Sequence, residues 1–137
     1  MRPDSRRPAH GARRTAHVNP QDRRRYLEHA QDLFNRGEYW LAHEALETVW
    51  RSIIKEDDAR VFQGLIQAAA ALLHQSRGNR HGTVVVGAAA LERLAGPQRP
   101  EVELETVHFR AQLARALAGE GNPPRLEFQK HDCERQT

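Results

Sequence analysis

Between Val61 and Ser76 the chain runs for sixteen residues without an Asp, Glu, Lys or Arg. Solvent therefore has little claim on any side of this segment, yet it is shorter and more polar than the ~20 apolar residues a membrane span needs. Such a segment belongs at the centre of a bundle, as its most enclosed helix. At about 100° per residue, Val61, Phe62, Leu65, Ile66, Ala68, Ala69, Leu72 and Leu73 share one broad apolar arc. Gln63, Gln67 and His74 fall within about 40° of one another on the other side, flanked by Ala70, Ala71 and Gly78. Buried amides and imidazoles need partners or cost a few kcal/mol each, so something polar has to face this strip.

The rest of the chain reads as helices around that one. Asn19 can cap a helix whose first residue is Pro20. Tyr26, Ala30, Leu33 and Phe34 form its apolar stripe, and Arg36-Gly37 closes it. A second helix is predicted from about Glu38 to Ile54, with Ala42, Leu46, Val49 and Ile53 on one stripe, and the third from about Ala59 to Arg77. A fourth spans roughly Thr83 to Ala95 and ends at Gly96-Pro97; a fifth spans roughly Val102 to Ala118 and ends at Gly119 and Gly121, before Pro123-Pro124. Connections are short and no alternating strand pattern occurs. The fold class is therefore all-α: a compact bundle of about five helices arranged as antiparallel hairpins. It is one domain over residues 20–121, between a disordered basic leader (1–19) and a C-terminal tail (122–137).

The excess of cations belongs to the start of the chain. Residues 1–25 hold eight arginines against two aspartates, a surplus of six, and the remaining thirteen cations face sixteen acids, a net −3. An arginine-rich arm can engage nucleic-acid phosphates by counterion release, although no aromatic residue before Tyr26 offers a base-stacking platform. The single cysteine, Cys133, excludes an internal disulfide framework and a multi-cysteine zinc module. With no membrane span and no apolar core behind the basic start, the expected location is the cytoplasm and no membrane partner is expected. Val84-Val85-Val86 and Gly87-Ala88-Ala89-Ala90-Leu91 are apolar all round, a pattern that suits burial on two sides or cover by a second subunit in a homodimer.

The second helix offers partners for the polar strip. His43 sits in its apolar arc between Leu46 and Trp50, and Glu47 lies one turn further on the same face. Glu44 points further round. This gives a candidate cluster of His43, Glu44, Glu47, Trp50, Gln63, Gln67 and His74 between the second and third helices. Three readings of it stand open. One is a purely structural hydrogen-bond network that fixes helix register. Another is a divalent transition-metal site, with His43, His74 and Glu47 as ligands and Glu44 as a general base for hydrolysis. His43-Glu44-Ala45-Leu46-Glu47 has Glu where the zinc-protease helix motif has its second histidine. The third is a small-molecule or peptide pocket walled by Trp40, Trp50 and Phe62. Gly37-Glu38-Tyr39-Trp40-Leu41-Ala42 also matches the core of a tetratricopeptide repeat, but in one copy, where a solenoid needs about three.

Two blocks of sequence carry a family resemblance. Phe34-Asn35-Arg36-Gly37-Glu38-Tyr39-Trp40-Leu41-Ala42-His43-Glu44-Ala45-Leu46-Glu47-Thr48-Val49-Trp50 resembles the opening signature of the domain-of-unknown-function 309 family. Phe62-Gln63-Gly64-Leu65-Ile66-Gln67-Ala68-Ala69-Ala70-Ala71-Leu72-Leu73-His74 is similar to its second motif. The resemblance spans roughly Tyr26 to Leu94. It implies a small, cytoplasmic, all-helical prokaryotic protein without an established activity. It also implies that His43, Glu44, Glu47, Trp50, Gln67 and His74 occupy signature positions. The reading that best joins these features is a non-enzymatic binding or interaction module centred on the cluster. A metal-dependent hydrolase and nucleic-acid binding through the leader stand as alternatives, and whether the chain is an enzyme is left open.

Overall fold

The structure, a computed structural model, describes residues 20–52, 56–96 and 104–128. The basic leader, Ile53 and Cys133 lie outside that range. Among the described residues five helices pack against one another as an all-α bundle: α1 (Pro20–Asn35), α2 (Tyr39–Trp50), α3 (Glu56–Ser76), α4 (Arg80–Arg93) and α5 (Thr106–Leu117). Among the described residues, no helix is long and apolar enough to cross a membrane.

The ends of α1 and α3 are made the same way. Gly37 and Gly78 adopt φ values of +83° and +74°, a region that side chains disfavour. The next amide then turns back: Glu38 N donates to Leu33 O at 2.9 Å, and Asn79 N donates to His74 O at 2.9 Å. Asn79 also opens α4, its Oδ1 accepting from Gly82 N at 2.9 Å. This strong cap starts the helix three residues before the Thr83 start that the sequence suggests, and leaves Gly82 inside the helix. The Glu105 carboxylate caps α5 by accepting from His108 N at 2.7 Å, so that helix begins at Thr106.

Helix α3, which carries the charge-free run from Val61 to Ser76, is the central one, packed against α2, α4 and α5. Phe62, Leu65, Ala68, Ala69 and Ala71 are fully enclosed, and Val61, Ile66 and Leu72 are buried with them. On α1 the stripe runs through Leu27, Ala30, Leu33 and Phe34, while Tyr26 is exposed at its edge. On α2 it runs through Ala42, Leu46 and Val49, as the spacing predicts. Phe34 joins three helices: its ring meets Tyr39 edge-on at 5.3 Å and Phe109 at 5.7 Å. Burial there pushes the Tyr39 hydroxyl above its ordinary pKa.

Residues 122–128, read from sequence as tail, run back across α1. Leu126 is fully buried. Asn35 holds it from both sides, donating Nδ2 to Leu126 O at 2.9 Å and accepting from Leu126 N at 2.7 Å. Phe128 N donates to Gln31 Oε1 at 2.7 Å, its backbone bridges Leu104, and its ring stacks on Phe62 at 6.1 Å.

Candidate functional site

Two glycines decide how α3 meets α4. A Cβ added at Gly64 would lie 2.9 Å from Leu94 Cγ and 3.2 Å from Arg93 Cβ. One added at Gly82 would lie 2.7 Å from the His74 ring. The helices therefore approach closely at both ends of an antiparallel pair, and the polar strip of α3 faces α4 along its length.

At one end of the strip the His74 ring covers Gly82, and Asn79 Nδ2 donates to His74 Nδ1 at 3.1 Å. At the other end the polar partner is Arg93. Its Nε donates to Gln63 Oε1 at 3.3 Å and its Nη1 to Gln67 Oε1 at 3.1 Å. Two carboxamide oxygens one helical turn apart thus hold a single guanidinium. Nη2 and both carboxamide NH2 groups take no part in these two bonds, which makes the corner rich in donors.

The last turns of α2 close the third side. Glu47 and Trp50 join Gln63, Ile66, Gln67 and Arg93 in lining an open cleft of about 190 Å³. Glu47 also pairs with Arg51 at 3.6 Å. A carboxylate, a guanidinium, two carboxamides and an indole from three helices therefore converge on one small space.

His43 stands one turn before Glu47 and is half-buried. The exposed Trp40 ring stacks on it at 5.5 Å with an interplanar angle of 8°. Among the described residues, the His43 Nδ1 is buried without a hydrogen-bond partner. One donor atom from each of His43, Glu44 and Glu47 lies within 4.8 Å of the others. This donor set could hold a cation, and Glu47 belongs both to it and to the cleft.

The residues singled out from sequence thus divide three ways. Glu47, Trp50, Gln63 and Gln67 line the cleft, and His43 and Glu44 gather beside Glu47 on α2. His74 is seven residues from Gln67, about 10 Å along the helix axis, and is occupied with the α3–α4 turn. Of the aromatic walls expected, Trp50 lines the cleft, Phe62 is enclosed in the core and Trp40 covers His43. Arg93 is the site residue that sequence reasoning does not name. A strip of neutral amides demanded a polar partner, but spacing within one helix carries no register for its neighbour.

Residues 27–86 match the family described as Domain of unknown function (DUF309). Glu47, Trp50, Gln63 and Gln67 fall inside that stretch, and Arg93 lies beyond it. An uncharacterized protein of Aquifex aeolicus (strain VF5) is 35% identical over 105 residues, covering 74% of this chain and 31% of that protein. The chain thus spans less than a third of the length of the curated relative it matches. No solved structure matches.

Proposed function

Since the chain belongs to the DUF309 family through residues 27–86, a family whose description assigns no activity, its function has to be read from its own side chains, and we propose that it is a binding module for a small ligand bearing an anionic group. The observation that carries this reading is the grip of Gln63 and Gln67 on Arg93 at the cleft lined by Glu47 and Trp50. A guanidinium fixed by two neutral oxygens keeps its full charge and is aimed in advance, which favours a carboxylate or phosphate. Glu47 supplies an acceptor for an amine or hydroxyl on the same ligand. A volume near 190 Å³ suits a molecule of amino-acid size rather than a peptide or a large cofactor.

The test is an amide and indole NMR titration with free amino acids, short dicarboxylates and inorganic phosphate. Shifts are expected at the Trp50 indole for at least one of these classes. Arg93→Met should weaken that binding by about tenfold or more, the scale of a lost charge-assisted hydrogen bond. Absence of binding at millimolar ligand, or equal binding by Arg93→Met, overturns the reading.

A metal-dependent reading rests on a different observation, the proximity of His43, Glu44 and Glu47 donors together with the orphaned Nδ1 of His43. Mixed imidazole and carboxylate donors suit zinc, manganese or ferrous iron. Elemental analysis after dialysis against each ion separates the ligand sets. His43→Ala should abolish retention under either set, whereas His74→Ala abolishes it only if His74 is a ligand. Retention unchanged in His43→Ala ends the metal reading.

A further inference from the structure

Helix α4 offers apolar side chains to solvent along one continuous line. Its outward residues are Arg80, His81, Val84, Val85, Ala88 and Glu92, while Gly82, Thr83, Gly87 and Ala90 face inward and are buried. Val84 is 63% exposed and Val85 52%. Valine is a mediocre helix former because its branched side chain loses rotamer freedom against the preceding turn. At exposed helical positions that cost is recovered only by contact with something else.

The charges along this line indicate what that is. Arg80 opens the helix and Glu92 lies in its last turn, with only uncharged residues and His81 between them on the line. Each charge sits at the end of the helix dipole that disfavours it, a cation at the positive end and an anion at the negative end. Neither forms an ion pair among the described residues. The line is complementary to itself when reversed. Two copies of α4 crossing antiparallel about a twofold axis near Val86 set Val84 opposite Ala88 of the second copy, and Arg80 opposite its Glu92. In that arrangement each misplaced charge meets both an opposite charge and the favourable end of a dipole. The Arg80 end also borders a groove lined by Gln75, Thr83, Val84, Leu117 and Ala118, which gives the incoming Glu92 a seat.

We propose that this face of α4 is where a second copy of the chain docks, as an antiparallel α4–α4 pair with twofold symmetry. The inference is independent of the cleft, whose lining it leaves open. A contact centred on one 14-residue helix, about 20 Å long, lies at the small end of protein interfaces, so the dimer exchanges with monomer on dilution.

Sedimentation of the full chain across a concentration series tests this, with circular dichroism confirming that each variant is folded. The parent chain should self-associate reversibly, and Val84→Glu should stay monomeric. Arg80→Glu and Glu92→Arg, which put like charges opposite each other, should each weaken the dimer at least tenfold. The double variant Arg80→Glu/Glu92→Arg should recover to within about threefold of the parent, because the pair is restored with its signs exchanged. A parent that is monomeric at all concentrations overturns the proposal. So does a double variant no better than the single ones, or a dimer insensitive to Val84→Glu. A chain that dimerises only once residues 1–19 are removed also overturns it, since the leader would then be the occupant of this face.

Discussion

Truncating Phe34 to alanine should lower the melting temperature by about 15–30 °C. The ring is 1% exposed and touches Tyr39 at the start of α2 and Phe109 on α5. Phe→Ala changes at such sites remove roughly 3–5 kcal/mol, combining lost transfer energy with the cavity left behind. For a domain of about 100 residues each kcal/mol moves the midpoint by roughly 4–8 °C. The cavity opens where three helices join, so no single side chain can relax to fill it. Phe34→Leu keeps most of the volume and should cost less than half as much. A calorimetric shift below about 5 °C for Phe34→Ala would mean that the α1–α2–α5 junction contributes little.

The second large effect is expected at a position with no side chain. In Gly64→Val a branched Cβ must occupy space already held by Leu94 and the Cβ of Arg93. Overpacking of this kind costs about 1–3 kcal/mol, partly offset by the roughly 0.3 kcal/mol by which valine exceeds glycine as a helix former. The more informative consequence is geometric. To admit the methyls, the C-terminal end of α4 has to lift off α3, and the Arg93 hydrogen bonds to Gln63 and Gln67 lengthen or break. Gly64→Val should therefore lose whatever binding Arg93 supports while remaining helical by circular dichroism. A variant with unchanged midpoint and unchanged Arg93-dependent binding would show that close approach at Gly64 does not set the cleft.

The parts of this protein legible from sequence are those governed by short-range chemistry. The charge-free run of α3, the glycine stops at Gly37 and Gly78, and the apolar stripe Ala42–Leu46–Val49 each depend on residues within a few positions of one another. What failed to appear depends on how separate helices slide and turn against each other. Gln63 and Gln67 announced a need for a partner, but whether His43 or Arg93 met it was decided by the registers of α2 and α4 on α3. The Asn79 cap is a single side-chain hydrogen bond that leaves no mark on the apolar spacing, so α4 begins three residues before the Thr83 start that the spacing suggests. Residues 122–128 read as tail because prolines and polar residues dominate there. Leu126 and Phe128 were too few to form a pattern, and their burial depends on Asn35 and Gln31, far away in the chain.

That long reach has a consequence for biosynthesis. The side-chain amide of Asn35 is completed by a peptide group 91 residues later, so α1 leaves the ribosome long before its last partner exists. The α1–α2 and α3–α4 hairpins involve only near neighbours and can assemble as they emerge. The seam over α1 cannot close until Leu126 has been synthesised. During translation this domain therefore passes through a nearly finished state with one flank open. Until that seam closes, chaperones and proteases have their best access to its core.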